Sequence, residues 1–408
     1  MKTERQLFKI VSMIVISLGL IVSNILPVSA APKAPSGSIT IWADGTEMVA
    51  MKKMAKAFDS KFGVKVIVTE VNFFEIRDKF IQAAPAGTGP DIIVGAHDVL
   101  GSLVSSGLLS RVTIPAKTKP NFVPNTLAAF TYNKKLYGVP YGVDVLAMYV
   151  NTKLVPVIPK TWNQMMATAK KLQDSGAAKY GVVLLDNNPF FAYPLFTSFG
   201  GYVFAKDKTG TYDPNDLGLD SPGSIAAAQA ISKAARSGLL AKGIDYGTMQ
   251  SLFTNGQIGM MFDGPWSLAG VQKSGVPFDI AVIPSAISVA RPFIGVRGMM
   301  ISSFSKNKLA AAVFLNNFMA TTEGMSLMIK DKFTASAWKP INKATKDPLL
   351  AKFAASAVNG DATPAIPEMG SVWDSWGKAM VALLSGLGDP AEIMEKAASD
   401  IRAAINKK

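Results

Sequence analysis

The chain has 408 residues, 49% of them hydrophobic and 17% charged, which excludes a disordered protein and exceeds what a single hydrophobic core normally organises. Cysteine is absent and His97 is the one histidine, which excludes disulfides, thiol catalysis, zinc–thiolate centres and metal sites built on several histidines. The net charge of +13 comes from lysines spread along the chain, and it favours an anionic envelope surface over nucleic acid as a partner.

The N-terminus has the pattern of a secretory signal peptide, which we place at residues 1–30. Three basic residues precede an apolar run over residues 10–27, and the small residues Val28-Ser29-Ala30 suit a cleavage site. An uncleaved membrane anchor is the alternative, because the apolar run approaches the length that spans a bilayer. We expect an exported protein, periplasmic or extracellular, and the absence of cysteine argues against a lipid anchor.

From residue 36 onward the sequence alternates between strand and helix patterns. Strands and helices are predicted, in chain order, at 38–42, 47–62 (helix), 64–68, 74–84 (helix) and 90–94. This order is typical of right-handed βαβ crossovers, and therefore of a mainly parallel sheet covered by helices. In such sheets ligands bind beyond the carboxyl ends of the strands, so Gly95 and Asp98 should lie in a ligand-facing loop.

The same alternation continues through the middle of the chain, and the last third is helical. Further strands are predicted at 145–150, 180–185, 258–262, 279–283 and 298–302. Further helices are predicted at 162–175, 225–237, 246–254, 308–319, 322–330, 349–358, 372–384 and 390–405. The sequence has no internal repeat, so the pattern indicates an α/β protein rather than a solenoid.

Several short segments follow one another in a recognisable order. They are GTGPDIIVGAHD at 87–98, KLYGVPY at 135–141, YVNTKL at 149–154 with PKTW at 159–162, FDGPW at 262–266, and AIPEM at 365–369 with Trp373. Together they resemble motifs of the maltose/maltodextrin-binding proteins of ABC sugar importers, within the extracellular solute-binding protein family. The resemblance covers nearly all of the chain after residue 39.

The resemblance implies an α/β, two-lobe periplasmic-binding-protein fold, with mainly parallel sheets flanked by helices and a hinge of several chain crossovers. The N-terminal lobe would comprise residues 36–142 and 283–344, and the C-terminal lobe residues 143–282 and 345–408. Such a receptor captures maltose or maltodextrin by lobe closure and delivers it to a membrane permease with its ATPase. We accordingly expect a monomer without enzyme activity, cofactor or metal, associated with the membrane through the importer.

A sugar has C–H groups on its ring faces and hydroxyls at its edge, so a cleft for it needs flat aromatic rings and polar acceptors. By the resemblance, the stacking rings are Trp266, Trp373 and Phe190. Phe190 stands where the family has a tyrosine, so its ring is kept and the hydroxyl is lost. The alternative for each of the three is an aromatic of the hydrophobic core.

The resemblance likewise implies carboxylates that bind sugar hydroxyls. These are Asp98, Asp144, Asp44 and Glu47, and further cleft candidates are Trp42, Gly95, Asn188 and Met369. Asp144 replaces a family glutamate and is one methylene shorter. The alternatives are a helix cap for Asp98 and a solvated helix start for Asp44 and Glu47. His97 is expected to be structural, because no serine or cysteine motif accompanies it.

Three departures from the family pattern bear on the choice of sugar. Gly95, Val99 and Asn188 stand where the family has a tryptophan, an arginine and a glutamate, which would reshape the cleft. A cyclodextrin, trehalose or another oligosaccharide is therefore the alternative to maltodextrin. A secreted glycoside hydrolase is the enzymatic alternative, and it would need two carboxyl groups roughly 5–10 Å apart across the scissile bond. A receptor for another solute, such as an anionic one, is the third.

Overall fold

The computed structural model describes residues 37–208, 210–330, 332–342 and 347–407. The predicted signal peptide at residues 1–30 lies outside these ranges. Across the described ranges, every helix is too short or too polar to cross a bilayer.

The described strands form two main sheets and two hairpins. In chain order they are β1 (Ser38–Ala43), β2 (Lys65–Glu70), β3 (Ile92–Ala96), β4 (Leu109–Ser110), β5 (Thr131–Tyr132), β6 (Lys135–Leu136), β7 (Gly138–Val145), β8 (Ala147–Asn151), β9 (Tyr180–Val183), β10 (Phe204–Lys206), β11 (Tyr212–Leu217), β12 (Ile258–Asp263), β13 (Phe278–Ala281), β14 (Phe293–Ser302), β15 (Ala335–Ser336) and β16 (Asp361–Ala362). The larger sheet has the order β15-β7-β14-β3-β1-β2, with β4 and β16 also paired to β14, and the smaller sheet has the order β13-β8-β12-β9.

The described helices surround these sheets. They are α1 (Met48–Phe62), α2 (Phe73–Ala83), α3 (Leu100–Ser105), α4 (Pro124–Ala129), α5 (Trp162–Asp174), α6 (Pro189–Ser198), α7 (Pro222–Arg236), α8 (Tyr246–Thr254), α9 (Leu268–Ser274), α10 (Lys308–Val313), α11 (Thr322–Ile329), α12 (Lys339–Asn342), α13 (Pro348–Ala357), α14 (Val372–Ser385) and α15 (Pro390–Asn406). A π-helical segment, Phe314–Met319, continues α10.

The α/β fold class is confirmed, but the sheets are mixed rather than mainly parallel. Strand β1 pairs parallel with β2 and β3, whereas β14 runs antiparallel to both β3 and β7. In the smaller sheet β12 is parallel to β9, but β8 is antiparallel to β12 and β13. The chain reaches β14 only after it has built the smaller sheet, so no βαβ crossover dictates the direction of that strand.

Each sheet has its own hydrophobic core. Helix α1 shows how the larger sheet is covered: Met51, Met54 and Phe58 follow helical spacing and are fully buried, and Gly63 ends the helix with φ 66°. On the smaller sheet, Tyr149 of β8 contacts the rings of Phe253, Phe278 and Phe353. Burying each such ring contributes roughly 1.5–3 kcal/mol, so both cores stabilise their sheets substantially.

The chain passes between the two sheets more than once. Strand β7 of the larger sheet ends at Val145, and β8 of the smaller sheet begins at Ala147. The chain leaves the smaller sheet after Ala281 and re-enters the larger sheet at Phe293. Because β7 and β14 are paired along their length, these two passages lie side by side.

Candidate ligand-binding site

Five aromatic side chains form a continuous series, which we call the aromatic row. Its order is Trp373, Phe293, Phe190, Phe191, Trp266, with successive ring centroids 6.1, 6.1, 5.9 and 6.4 Å apart. Phe190 and Phe293 are nearly parallel, and the other pairs meet edge to face, as aromatic rings prefer. The structure thus brings the three predicted stacking rings into one row. The two rings that connect them were missed in the sequence.

The rings of this row sit where helices, turns and strands begin. Trp373 and Phe190 lie in the first turns of α14 and α6, and Phe293 is the first residue of β14. Phe293 is buried and lies flat on Tyr193, with 3.5 Å between ring centroids and 2° between ring planes. Trp373, Phe190 and Trp266 are half-buried, so each keeps part of its ring surface available to a ligand.

The indole of Trp266 is held from two sides. Its Nε1 donates a hydrogen bond of 2.8 Å to the hydroxyl of Tyr246. Its six-membered ring covers Gly264, where a Cβ atom would stand only 2.0 Å from the ring. A residue larger than glycine at position 264 would therefore displace the indole. The FDGPW segment gives this ring a fixed orientation.

Asp98 lies next to Trp373. It follows β3 in a short 3₁₀ turn, and the Trp373 indole lies close enough to its carboxyl to favour the ionised form. Burial raises the pKa of the Asp98 carboxyl, against the effects of its own backbone N–H, the Trp373 indole and the charges of Arg77 and Arg297. One predicted acceptor and one predicted stacking ring are therefore neighbours, although they are 275 positions apart in numbering.

The remaining predicted carboxylates gather around an arginine, in a group that we call the charged cluster. Its members are Asp44, Glu47, Tyr141, Asp144, Arg297 and Lys332. Arg297 bonds Asp44 at 2.6 Å and Glu47 at 2.8 Å, and its second terminal nitrogen lies 3.9 Å from Asp144. Glu47 also accepts from Lys332 at 2.9 Å and from Tyr141 at 2.6 Å. The two cations of this cluster were missed in the sequence.

The electrostatics of the charged cluster follow from burial and from Arg297. Burial alone would raise the pKa of Asp44, but the guanidinium and nearby hydrogen bonds hold that pKa well below its usual range. For Asp144 burial dominates and raises the pKa, despite Arg297, Lys332 and a hydrogen bond from Thr334. Asp44 is thus a fixed anion, whereas Asp144 is a weaker acid than an exposed aspartate.

Strand β14 joins the aromatic row to the charged cluster. Side chains on a strand alternate between faces, so Phe293, Gly295 and Arg297 share one face of it. Four residues of strand separate Phe293 from Arg297 by roughly 13 Å. Gly295 lies between them opposite Asp144, and it leaves that stretch of the face without a side chain. The sequence analysis placed the start of this strand at Gly298, so Phe293, Gly295 and Arg297 were not predicted as site residues. The alternation of side chains along residues 293–297 could have indicated that the strand begins earlier.

The sequence profile of bacterial extracellular solute-binding proteins matches residues 53–378 of the chain. The protein belongs to this family. The galactooligosaccharide-binding protein of Bacillus subtilis is 29% identical over 412 aligned positions, covering 96% of both chains. The maltotriose-binding protein of Pyrococcus abyssi is 28% identical over 384 positions, covering 91% of this chain and 81% of its own. A maltooligosaccharide ABC transporter solute-binding lipoprotein of Streptococcus pneumoniae is 27% identical over 396 positions, covering 93% of both.

Other predicted cleft residues of this solute-binding protein are placed differently. Met369 is fully buried in the core of the smaller sheet, which leaves it no surface for a ligand. Gly95 lies inside the larger sheet, opposite Gly298. Asn188 precedes α6 without capping it, and is half-buried beside the aromatic row. Trp42, at the end of β1, lines a shallow surface pocket with Lys79, Gln82, Ala83 and Thr88.

His97 of the solute-binding protein has both ring nitrogens bonded to backbone. Nδ1 accepts from the Val296 N–H at 3.1 Å, so Nε2 carries the proton and donates to the Thr363 carbonyl at 3.0 Å. Burial lowers the pKa of His97 to about 4, which keeps the imidazole neutral. His97 therefore links the turn after β3 to β14 and to the segment after β16 through hydrogen bonds. Its role is structural, as expected.

Proposed function

We propose that this solute-binding protein is the extracytoplasmic receptor of an ABC sugar importer, and that it captures a maltodextrin and delivers it to the permease. The observation that carries the proposal is the aromatic row beside the charged cluster on one strand. Rings that stack on sugar faces and carboxylates that accept from hydroxyls are the two elements of a sugar cleft. The relatives named for maltotriose and maltooligosaccharides support this choice of ligand.

A galactooligosaccharide is the second candidate. The Bacillus subtilis relative carries that name and aligns with almost the whole chain. Loss of the family's tryptophan, arginine and glutamate at Gly95, Val99 and Asn188 also favours a ligand of different linkage. Cyclodextrin and trehalose are the remaining sugars of the same chemistry, and titration with each of them would separate these candidates.

The charge balance of the site favours a neutral ligand over an anionic one. Asp44, Glu47 and Asp144 carry three negative charges when ionised, against the two positive charges of Arg297 and Lys332. Both cations are already bonded to carboxylates, so neither is free to bind a phosphate or a uronate. The positive charge of the whole chain is therefore no guide to its ligand.

The binding mode that we propose is closure of two lobes. One lobe would comprise residues 36–142 and 283–344, and the other residues 143–282 and 345–408. The separate cores of the two sheets and the paired passages at β7 and β14 support this division. Apart from Asp144, the charged cluster lies in the first of these lobes, and Trp266, which follows β12, lies in the second, so a ligand held by both would link the lobes.

We propose a receptor without catalytic activity. A glycosidase needs one carboxyl to donate a proton and a second to act as base or nucleophile. Arg297 instead holds Asp44 as an anion, and Glu47, whose pKa is raised by burial against the charges of Arg297 and Lys332, is bonded to both of these cations. The relatives are named as binding proteins as well. We further propose an exported monomer that needs no cofactor, reaches the membrane through the permease and its ATPase, and has no lipid anchor.

Isothermal titration calorimetry against a panel of sugars tests the proposal. We expect micromolar binding, about −8 kcal/mol, for maltotriose or a galactooligosaccharide, and none for glucose 6-phosphate or a glucuronide. Phe304→Ala, which truncates an exposed ring in the turn after β14, is the control for non-specific loss of binding. Absence of heat with every oligosaccharide would refute the sugar ligand. Glucose released from maltotriose after prolonged incubation would refute the absence of catalysis.

A further inference from the structure

Beneath the aromatic row, Trp266 stands at one end of a chain of hydrogen bonds. Its Nε1–H donates to the Tyr246 hydroxyl at 2.8 Å, and the oxygens of Tyr246 and Ser267 are 2.9 Å apart. Ser267 in turn donates to Oδ2 of Asp263 at 2.7 Å. Because Ser267 uses its proton on Asp263, Tyr246 must be the donor to Ser267. The chain thus runs in one direction, from the indole to the carboxylate.

The carboxyl of Asp263 is fully buried at the end of β12. Oδ1 accepts from the Gly264 N–H at 2.7 Å, and the Gln250 amide also donates to Oδ2. In the part of the chain that the structure describes, all the groups bonded to it are neutral. The titratable groups facing it are the phenols of Tyr246 on α8 and Tyr149 on β8, and burial raises the pKa of both above its usual value.

We propose that Asp263 is a positioning residue for the ligand site: its ionised carboxylate fixes the direction of this chain and thereby holds the Trp266 indole in the aromatic row. The inference rests on the proposed function in one respect, since it takes Trp266 to contact the sugar. The geometry of the chain does not depend on the identity of the ligand.

Protonation of Asp263 reverses the direction of these hydrogen bonds. The new proton on Oδ2 points to Ser267, which then donates to Tyr246 instead of to the carboxyl. The oxygen of Tyr246 then accepts from both Ser267 and Trp266, and the proton of its own hydroxyl is left without an acceptor in the chain. A buried donor without a partner is unfavourable, so the Tyr246 hydroxyl turns toward another acceptor and its bond to the Trp266 indole is lost.

The protonation change falls in an accessible range. Burial raises the pKa of Asp263 to about 7, against the hydrogen bonds from Ser267, Gly264 and Gln250. The ionised fraction is then about one-tenth at pH 6 and about nine-tenths at pH 8. If only the ionised form holds Trp266 in place, ligand affinity should rise up to about tenfold over this interval.

Stability should change in the opposite direction. A carboxyl whose pKa is raised on folding binds more protons in the folded state, so its contribution to stability is present below about pH 4 and is lost as the pH rises through about 7. Affinity that increases while this contribution to stability decreases is a combination that a purely structural role for Asp263 would not give.

The experiment uses the mature protein with maltotriose as probe. The dissociation constant is measured at pH 6 and pH 8 for the wild type, Asp263→Asn and Tyr246→Phe, with circular dichroism to confirm folding. Asp263→Asn keeps the size of the side chain and removes its titration, and Tyr246→Phe interrupts the chain at one hydroxyl. We expect a change of up to about tenfold in the wild type that is strongly reduced in both variants. The other carboxyls of the cleft are present in the wild type and in both variants, so any pH dependence that they cause is common to all three proteins.

A second readout needs no sugar. The emission of Trp266, obtained by subtracting the spectrum of Trp266→Phe, should change with a midpoint near pH 7 in the wild type and not in Asp263→Asn. Emission that is constant between pH 6 and 8, or a variant that keeps the wild-type pH dependence, would overturn the proposal. If the emission changes as expected but neither maltotriose nor a galactooligosaccharide binds, the role of Asp263 in holding Trp266 is supported and the proposed function is refuted.

Discussion

Replacing Arg297 by methionine should destabilise the fold more than loss of an exposed ion pair does. The Arg297 side chain is only 12% exposed, and it bonds Asp44 at 2.6 Å and Glu47 at 2.8 Å. Methionine fills much of the same space, but it leaves three carboxylates facing Lys332 alone. Because removal of one partner leaves a buried charge without compensation, we expect the free energy of unfolding to fall by about 3–5 kcal/mol at pH 7.

Urea unfolding followed by circular dichroism measures this loss, and the chain offers a matched control. Arg402 bonds Asp220 at a similar 2.6 Å, but their side chains are 45% and 26% exposed. Arg402→Met should therefore cost less than about 1 kcal/mol. Equal losses for the two variants would refute the argument, since burial is the main difference between the two pairs.

The pH dependence of the same variant tests the cause. The pKa of Asp44 is lowered in the folded state, so its pairing stabilises the fold above about pH 4, and this contribution is lost as the pH falls through the folded pKa. The difference between wild type and Arg297→Met should therefore shrink below pH 4. A double-mutant cycle with Asp44→Asn should give a coupling energy of about 1–3 kcal/mol, and a value near zero would show that the two groups do not interact.

Further predictions concern the ligand and the leader. Trp266→Ala should weaken binding of maltotriose by about 2–4 kcal/mol in calorimetry, and an unchanged dissociation constant would make the ring structural. Gly264→Ala should reduce affinity and alter tryptophan emission, because its methyl group would overlap the indole; an unaltered spectrum would contradict that overlap. Asp98→Asn should weaken binding by about 1.5–3 kcal/mol through loss of a charged acceptor, and unchanged binding would leave Asp98 only its interaction with Trp373. Mass spectrometry of the secreted chain should find Ala31 at the N-terminus, and retention of residues 1–30 would support the anchor.

Local patterns in the sequence predict much of the fold. Helix α8 is observed at the predicted bounds, Tyr246–Thr254, and α1 and α15 differ from prediction by one residue at an end. These segments combine apolar periodicity with capping residues, which are properties of neighbouring residues. Helix α6 was missed because nine of its ten residues are buried, so it has no polar face to reveal a helical period.

The candidate site depends on contacts that local patterns do not contain. The pairing of β14 between β3 and β7 sets Arg297 beside Asp44, although 253 positions separate them. In the sequence Arg297 is one basic residue among 42 lysines and arginines, and nothing nearby marks it as buried. The resemblance to known binding proteins indicated the carboxylates and rings of the site. The partners that set their charge and orientation, Arg297, Lys332 and Tyr246, required the tertiary structure.

The net charge of the protein and the charge at its proposed ligand site therefore differ in sign and in origin. The net charge of +13 belongs to lysines distributed over the chain, and in physiological salt their field is screened within about 8–10 Å. Such a field can hold the protein near an anionic envelope. Within the charged cluster, by contrast, Arg297 and Lys332 are already bonded to carboxylates that outnumber them. A neutral sugar can exchange hydrogen bonds with these carboxylates without changing that balance, whereas an anion would have to displace one of them from Arg297.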